Sequence, residues 1–404
     1  MHLLSNVLYL LIGSRLLGEL MHRLKQPRLV GEIFAGIILG PALLSIVKPT
    51  LGLEGISELS VFLIVVSAGL EMEFRDVISA FKGRASIASL IGFLLPFAAG
   101  CVLALVFGLN TLQVIFLGLC MSVTALPVTV QILSSFRLLQ SRIAHISIAT
   151  AILNDVLALL FLGVLLDFPT NEAGNLSFMT AMGKLSENAV KVVIFAFIVY
   201  LVNRLMGMGS GSSRRIERFI DKTIEFFGRE ALFGIAVLFV LLFGTISEWL
   251  GTHFVIGTFF GALLLSRDVL GTTLFSELEQ TLNSVTGGFL APIFFAYLGL
   301  VFGTEAFGRP FLLVGVLAVA MLSKIWAGYL GGMVLRLPHA EALGIGVILN
   351  GRGVMELVVA NIAFQRGLIG RDLFSILVVM GIVTTMATPI MFRRWVLPRL
   401  KPAY

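Results

Sequence analysis

The chain has 404 residues, 58% of them hydrophobic and 13% charged, with a mean hydropathy of +1.01 and a formal net charge of +6. Ordinary globular domains carry about twice that charged fraction, so the composition is that of an integral membrane protein, not of a soluble enzyme. The basic residues lie in the connections between apolar runs, which excludes reading the positive charge as a nucleic-acid surface. Cys101 and Cys120 sit inside apolar runs, and neither they nor the scattered histidines have metal-ligand spacing, so no cofactor is expected.

In chain order, about thirteen apolar runs approach the length a bilayer requires: 4–21, 28–47, 56–71, 85–108, 111–133, 143–166, 184–206, 229–250, 253–266, 284–303, 310–335, 341–364 and 370–395. The first lacks a basic leader and contains Arg15 and Glu19, so it reads as a first helix and not as a cleaved signal. Basic residues crowd alternate connections, such as Arg23, Lys25 and Arg28, then Arg137 and Arg142, then Arg393, Arg394, Arg399 and Lys401. The opposite connections hold only Lys48, Lys184, Arg309, Arg366 and Arg371, which places the N-terminus outside and the C-terminus in the cytoplasm. Between runs seven and eight lies a basic segment, 207–229, that starts with glycines and serines. It continues as an amphipathic stretch with Ile216, Phe219, Ile220, Thr223, Ile224 and Phe227 on one face, the pattern of an interfacial linker helix.

That linker leaves six runs on each side of run seven. The intervening count is odd, so the halves are expected to be two inverted six-helix repeats. Run five contains Ser122-Val-Thr124-Ala-Leu-Pro127 near its middle, where Pro127 is expected to break or kink the helix. Run twelve contains Asn350-Gly-Arg352-Gly, again near the middle. Interruptions at matching positions of two halves point to a transport site, with the half-helix ends offering carbonyls to a cation. Asn154-Asp155 lies in the middle of run six, where an aspartate costs about 2.5–3.5 kcal/mol. A residue that expensive is there for ion or proton work, or is neutralised by a neighbouring helix for packing. Lys324 lies mid-way along run eleven; Arg352 and Glu356, four residues apart, share a helix face and are expected to pair. Glu71 and Glu73, at the end of run three, read as solvated or entrance residues.

These motifs resemble the monovalent cation:proton antiporter superfamily, the sodium/hydrogen exchanger-like branch of bacterial potassium-efflux antiporters and plant cation/proton exchangers. The resemblance is carried by Gln26-Pro-Arg-Leu-Val-Gly-Glu32, Ala35-Gly-Ile-Ile-Leu-Gly-Pro41, Gly69-Leu-Glu-Met-Glu73, Ser122-Val-Thr-Ala-Leu-Pro127, Asn154-Asp155, Lys324 and Gly351-Arg-Gly-Val-Met-Glu-Leu357. It implies an all-α polytopic fold with broken crossing helices 5 and 12. It further implies a core (85–166 and 310–395) moving against a dimerisation part (1–71 and 229–303), with 184–229 as linker. By the same resemblance Asp155 carries the cation or proton, with Asn154, Thr124 and Ser122 around it and Lys324, Arg352, Glu356 and Asn350 balancing charge. Electrogenic relatives have an Asp-Asp pair where this chain has Asn154 first, so the expected activity is electroneutral exchange of Na⁺ or K⁺ for protons. The expected setting is a homodimer in a bacterial inner membrane, with no nucleotide-binding domain after run thirteen. A sodium-coupled symporter of an organic anion would need a large polar cavity. A non-transporting sensor or assembly subunit is the third reading.

Overall fold

The structure is a computed structural model that describes residues 2–73, 77, 83–166, 190–191, 194–204, 228 and 231–400, and all their regular structure is helical. The interfacial segment expected at 207–229 lies almost wholly outside the described residues, as does the first half of run seven. The helices are α1 Leu3–Arg23, α2 Arg28–Leu39, α3 Leu51–Leu70, α4 Gly83–Val106, α5 Thr111–Ser122, α6 Leu126–Ser135 and α7 Arg142–Leu166. After α8, Ile194–Arg204, come α9 Ala231–Trp249, α10 Phe254–Leu264, α11 Arg267–Val285, α12 Ala291–Val301, α13 Pro310–Val334, α14 His339–Ile348, α15 Val354–Gln365 and α16 Arg371–Met391. Nine helical stretches among the described residues are long and apolar enough to cross a bilayer.

Two regions differ from the sequence reading. α2 stops at Leu39 because Gly40-Pro41 ends it, and α3 starts at Leu51, where Thr50 caps it by accepting from the Leu53 amide at 3.4 Å. More important, 267–285 is helical on both sides of a non-helical Gly271 (φ 75°, ψ 161°), although hydropathy treats it as a connection. α11 is amphipathic: Leu278 and Leu282 are buried while Glu277, Gln280 and Ser284 stay on the polar side. A five-residue wide turn, Thr286–Leu290, carries it into α12.

The packing falls into two groups. α4 packs on α5, α7 and α13; α13 packs on α14, and α15 on α16. Separately, α1 packs on α2, α2 on α12, α3 on α10 and α12, and α9 on α10. The groups meet along α10 against α7 and along α3 against α15.

Two of the helix crossings tight enough to require glycine bear on the site. At α2–α12, a Cβ on Gly36 would stand 1.8 Å from the Ala296 carbonyl oxygen, and one on Gly299 would stand 2.2 Å from that of Ile33. At α13–α14, a Cβ on Gly328 would come within 2.4 Å of the Gly346 Cα. Lys324 lies one turn before Gly328 on α13, so this second crossing fixes the depth at which the lysine reaches its neighbours. Gly328→Leu is expected to separate α13 from α14 at an overpacking cost of about 1–3 kcal/mol. A lowered melting temperature in detergent would register it, whereas Gly55→Ala, which meets nothing within 4 Å, leaves the melt unchanged.

Candidate functional site

α5 begins in a capping box: the Asn110 side chain accepts from the Gln113 amide at 2.9 Å, and Gln113 Oε1 accepts from the Asn110 amide at 3.2 Å. It ends at Ser122, after which Val123 and Ala125 are extended (ψ 144° and 116°) and α6 starts at Leu126. The interruption therefore precedes Pro127 and does not follow from it. Proline stands in the first turn of α6, where no backbone donor is needed and its fixed φ suits a helix start. The second interruption spans 349–353, between α14 and α15. The two extended stretches touch: the Ala125 amide donates to the Gly351 carbonyl at 3.0 Å, and Thr124 Oγ1 donates to that of Leu349 at 3.3 Å.

A helix that stops inside a bilayer leaves its last carbonyls without partners, at a cost of several kcal/mol if nothing replaces them. Here two cations replace them. Arg352 donates to the carbonyls of Cys120 and Met121, the latter at 2.9 Å, and Lys324 Nζ donates to that of Ser122. Lys324 also donates to the Gly92 carbonyl at 3.1 Å and to Thr124 Oγ1 at 2.8 Å. The carbonyl end of α5, expected from the sequence to face a cation, is thus filled by the protein's own positive charges, which also suit the negative end of the helix dipole.

The remaining candidates complete this capping layer. Asn154, with its amide turned so that both atoms are paired, accepts from Lys324 at 3.3 Å, donates to the Thr150 carbonyl at 3.3 Å, and lies 3.2 Å from Thr124 Oγ1, whose one proton serves either Asn154 or the Leu349 carbonyl. The Ser122 hydroxyl donates to the carbonyls of Phe93 (3.0 Å) and Gly118 (2.9 Å), so it faces α4 and is committed there. Asn350 Nδ2 caps α14 through the Gly346 carbonyl at 3.2 Å. Arg352 and Glu356, both fully buried, approach to 3.7 Å, and Glu356 stands in the first turn of α15, where a negative charge suits the helix dipole. No motif marks Thr150 or Gly92 as part of this layer. Thr150 stands one helical turn before Asn154 on α7, the only signal that points to it.

Asp155 is different. It is 1% exposed, its Oδ1 has no hydrogen-bond partner, and no described basic side chain lies within ion-pairing distance of it. It alone of the eight candidates lines a cavity of about 190 Å³, shared with Leu126 and Pro127 at the N-terminus of α6 and Val354 and Met355 at that of α15. Two helix N-termini therefore border the chamber of one carboxylate, and their positive dipole ends favour its charged form. Glu71, Asn283 and Gly287, all exposed, form the rim, and Ser67 is bonded to Asn283 at 3.2 Å. Asn283 escapes a sequence reading because α11 does, and Thr286 falls inside run ten but carries no motif. Among the described residues, the cavity lining contains no lysine, arginine or histidine. Chemically, such a carboxylate oxygen can take a proton or ligate a small cation.

The model of the family described as "Sodium/hydrogen exchanger, transmembrane" matches residues 7–397. The chain belongs to that family. Among its relatives is the Na(+)/H(+)-K(+) antiporter GerN of Bacillus cereus, 26% identical over 95% of this chain and 94% of the relative. Cation/H(+) antiporter 18 of Arabidopsis thaliana is 29% identical over 95% of this chain, which spans about half (47%) of that longer protein. The fold is that of the solved sodium proton antiporter MjNhaP1 from Methanocaldococcus jannaschii, with a TM-score of 0.69, 17% identity, and coverage of 98% of this chain and 97% of that one. Family members of this kind are secondary transporters, not enzymes.

If Lys324 holds the α5 end as this geometry requires, Lys324→Met strips the donor from two buried carbonyls and a hydroxyl. Each orphaned group costs about 1–3 kcal/mol, so the variant should unfold well below the parent in a thermal melt, with Thr124→Val falling between them.

Proposed function

We propose that this chain is a monovalent cation/proton antiporter in which Asp155 binds either a proton or one Na⁺ or K⁺, and in which the binding group moves only when that charge is neutralised. The observation that carries the reading is the unpartnered Asp155 carboxylate at a small cavity bordered by two half-helix N-termini. The names of the relatives agree with it. A cavity of about 190 Å³ falls below the roughly 300–1,000 Å³ of organic-ligand pockets and offers no cationic group to an organic anion. That favours a small cation over the organic-anion symporter.

Exchange is one-for-one on this reading. An ammonium has three protons, and Lys324 Nζ finds acceptors for all of them among Gly92, Ser122, Thr124 and Asn154, so its charge is structural and stays through the cycle. Asp155 is then the one group that loads and unloads. α4–α7 with α13–α16 form the moving core, and α1–α3 with α9–α12 form the scaffold and the homodimer contact. Alternating access follows from sliding α7 and α15 past α10 and α3, where the two groups meet. The N-terminus lies outside a bacterial inner membrane, which makes the Glu71 rim the cytoplasmic side.

Proteoliposomes loaded with a pH-sensitive dye test the reading. Addition of Na⁺ or K⁺ should move protons in the parent and not in Asp155→Asn; wild-type-like exchange in that variant overturns the assignment. An imposed membrane potential should leave the parent's rate unchanged, and a steep response to potential would sink electroneutrality. Because proton and cation compete for one carboxylate, acidification should raise the cation concentration needed for half-maximal exchange.

A further inference from the structure

A second cavity, of about 410 Å³, opens at the opposite end of the α3–α15 contact from Asp155. On α3 it is lined by Glu54, Glu58, Val61, Phe62 and Val65, whereas the Asp155 cavity begins at Ile64 and runs through Ala68 to Glu71. On α15 it reaches Ile362, Gln365 and Arg366, whereas the Asp155 cavity touches Val354 and Met355. Between the two lies a packed layer: Val65, Val358, Val359 and Phe259 are all 0% exposed. The cavities approach each other along one path: on α3 their linings meet at Ile64 and Val65, and on α15 about two helical turns separate Met355 from Ile362.

Across the mouth of the second cavity, one side-chain hydrogen bond joins the two packing groups. Arg366, at the end of α15, reaches His253 Nε2 at 3.3 Å, and His253 is the N-cap of α10. The Val255 amide approaches His253 Nδ1 at 3.2 Å. A neutral imidazole has one lone-pair nitrogen and serves one of these donors at a time; a protonated one serves neither. The same face has a second tie, but of another kind. Arg371 Nε donates to the Val301 carbonyl at 2.9 Å, the Gly303 amide donates to Ser375 Oγ at 2.9 Å, and Arg309 pairs with Asp372 at 3.1 Å. Those contacts pin the covalent passage from α12 to α13. The Arg366–His253 contact joins segments with no chain connection between them.

We propose that His253 and Arg366 form a proton-sensitive latch that holds the second cavity closed while Asp155 is open to the Glu71 side. This rests on the alternating-access reading above. The charged groups around His253 set the sign. Glu54 and Glu58 on α3 and Glu248 on α9 line the cavity, Arg366 faces the ring from α15, and Lys191 reaches the Gly251 turn. Arg366 has no carboxylate within ion-pairing distance among the described residues. Closed, the ring faces a guanidinium and must stay neutral. Released, it is free of that cation, keeps three carboxylates nearby, and accepts a proton in the ordinary imidazole range. Acid on that face therefore favours release, and neutral pH favours the closed state.

Thiol labelling tests the latch apart from transport. In a Cys101→Ala/Cys120→Ala background, Ala68→Cys reports the Asp155 cavity and Val65→Cys the floor of the second one. A membrane-impermeant maleimide is applied without ion gradients, and the Val65→Cys rate is divided by that of Leu51→Cys, an 88% exposed position at the same end of α3. His253→Ala and Arg366→Ala should each raise labelling at Val65→Cys several-fold and slow it at Ala68→Cys. Lowering the pH from 7.5 to 5.5 should do the same in the parent. His253→Gln, which keeps an acceptor and cannot be protonated there, should label at both pH values as the parent does at pH 7.5 and so guards against misfolding of the alanine variants. Unchanged labelling in the alanine variants, or an acid response that survives in His253→Gln, overturns the latch. Exchange by Asp155→Asn would instead overturn the antiport reading and leave the latch result standing.

Discussion

A helix broken inside a bilayer has to find new partners for its last carbonyls, and most of the functional half of this protein is arranged around that demand. α5 ends at Ser122 with water excluded, and the donors come from two other helices: Lys324 from α13, and Arg352 from the segment leading into α15. Each donor is fully buried and each commits its charge to backbone oxygens. The consequence is mechanical as well as energetic. α4, α5, α13 and the α14–α15 connection are tied at one point by charge-assisted hydrogen bonds, roughly twice as strong as neutral ones. Displacement of one against another would expose several orphaned groups together. Motion is cheaper where the contacts are apolar, along α3–α15 and α7–α10.

The capping layer also explains how a single carboxylate can be left unpaired. Two buried cations share its core, yet Lys324 and Arg352 are held by carbonyls, Thr124 and Asn154. What Asp155 meets instead are the first turns of α6 and α15. A helix dipole supplies a fraction of a charge without a counter-ion, enough to favour the carboxylate and not enough to occupy it. The broken helices are thus asymmetric at their two ends, carbonyl ends sealed and amide ends open, and the proposed cation site rests on that difference.

Much of this is legible in the sequence, and the parts that are not have a common cause. The interrupted runs, Asp155 midway along its helix and the Arg352–Glu356 spacing are local patterns, and each appears in the structure where the residues put it. Pro127 marks the right helix but the wrong residue, since a proline that starts a helix and one that breaks it look alike in one dimension. Hydropathy misses α11 because it sees only average polarity, and the buried Leu278 and Leu282 are diluted by glutamates and serines on the other side. The partners of Lys324 lie about two hundred positions away in Ser122, Thr124 and Gly92, and no spacing rule connects them. Ser122 and Thr124, grouped with Asp155 by sequence, are bonded to Lys324, and neither lines the Asp155 cavity.

The scarcity of polar atoms in the chamber of Asp155 carries a consequence of its own. Ile64, Ala68, Met72, Phe295, Val354 and Met355 give it walls that cannot solvate an ion, which leaves the carboxylate, the Ser67 and Thr286 hydroxyls and the Glu71–Asn283 rim as its side-chain oxygens. An alkali ion in water is wrapped in a complete shell of oxygens, so one that docks here either brings part of its shell through the Glu71–Asn283 rim or arrives under-coordinated. Discrimination between Na⁺ and K⁺ then becomes a question of how many waters fit beside the ion, and so of the girth of Ala68 and Met355. Selectivity would be written in side chains that never touch the metal with a polar atom.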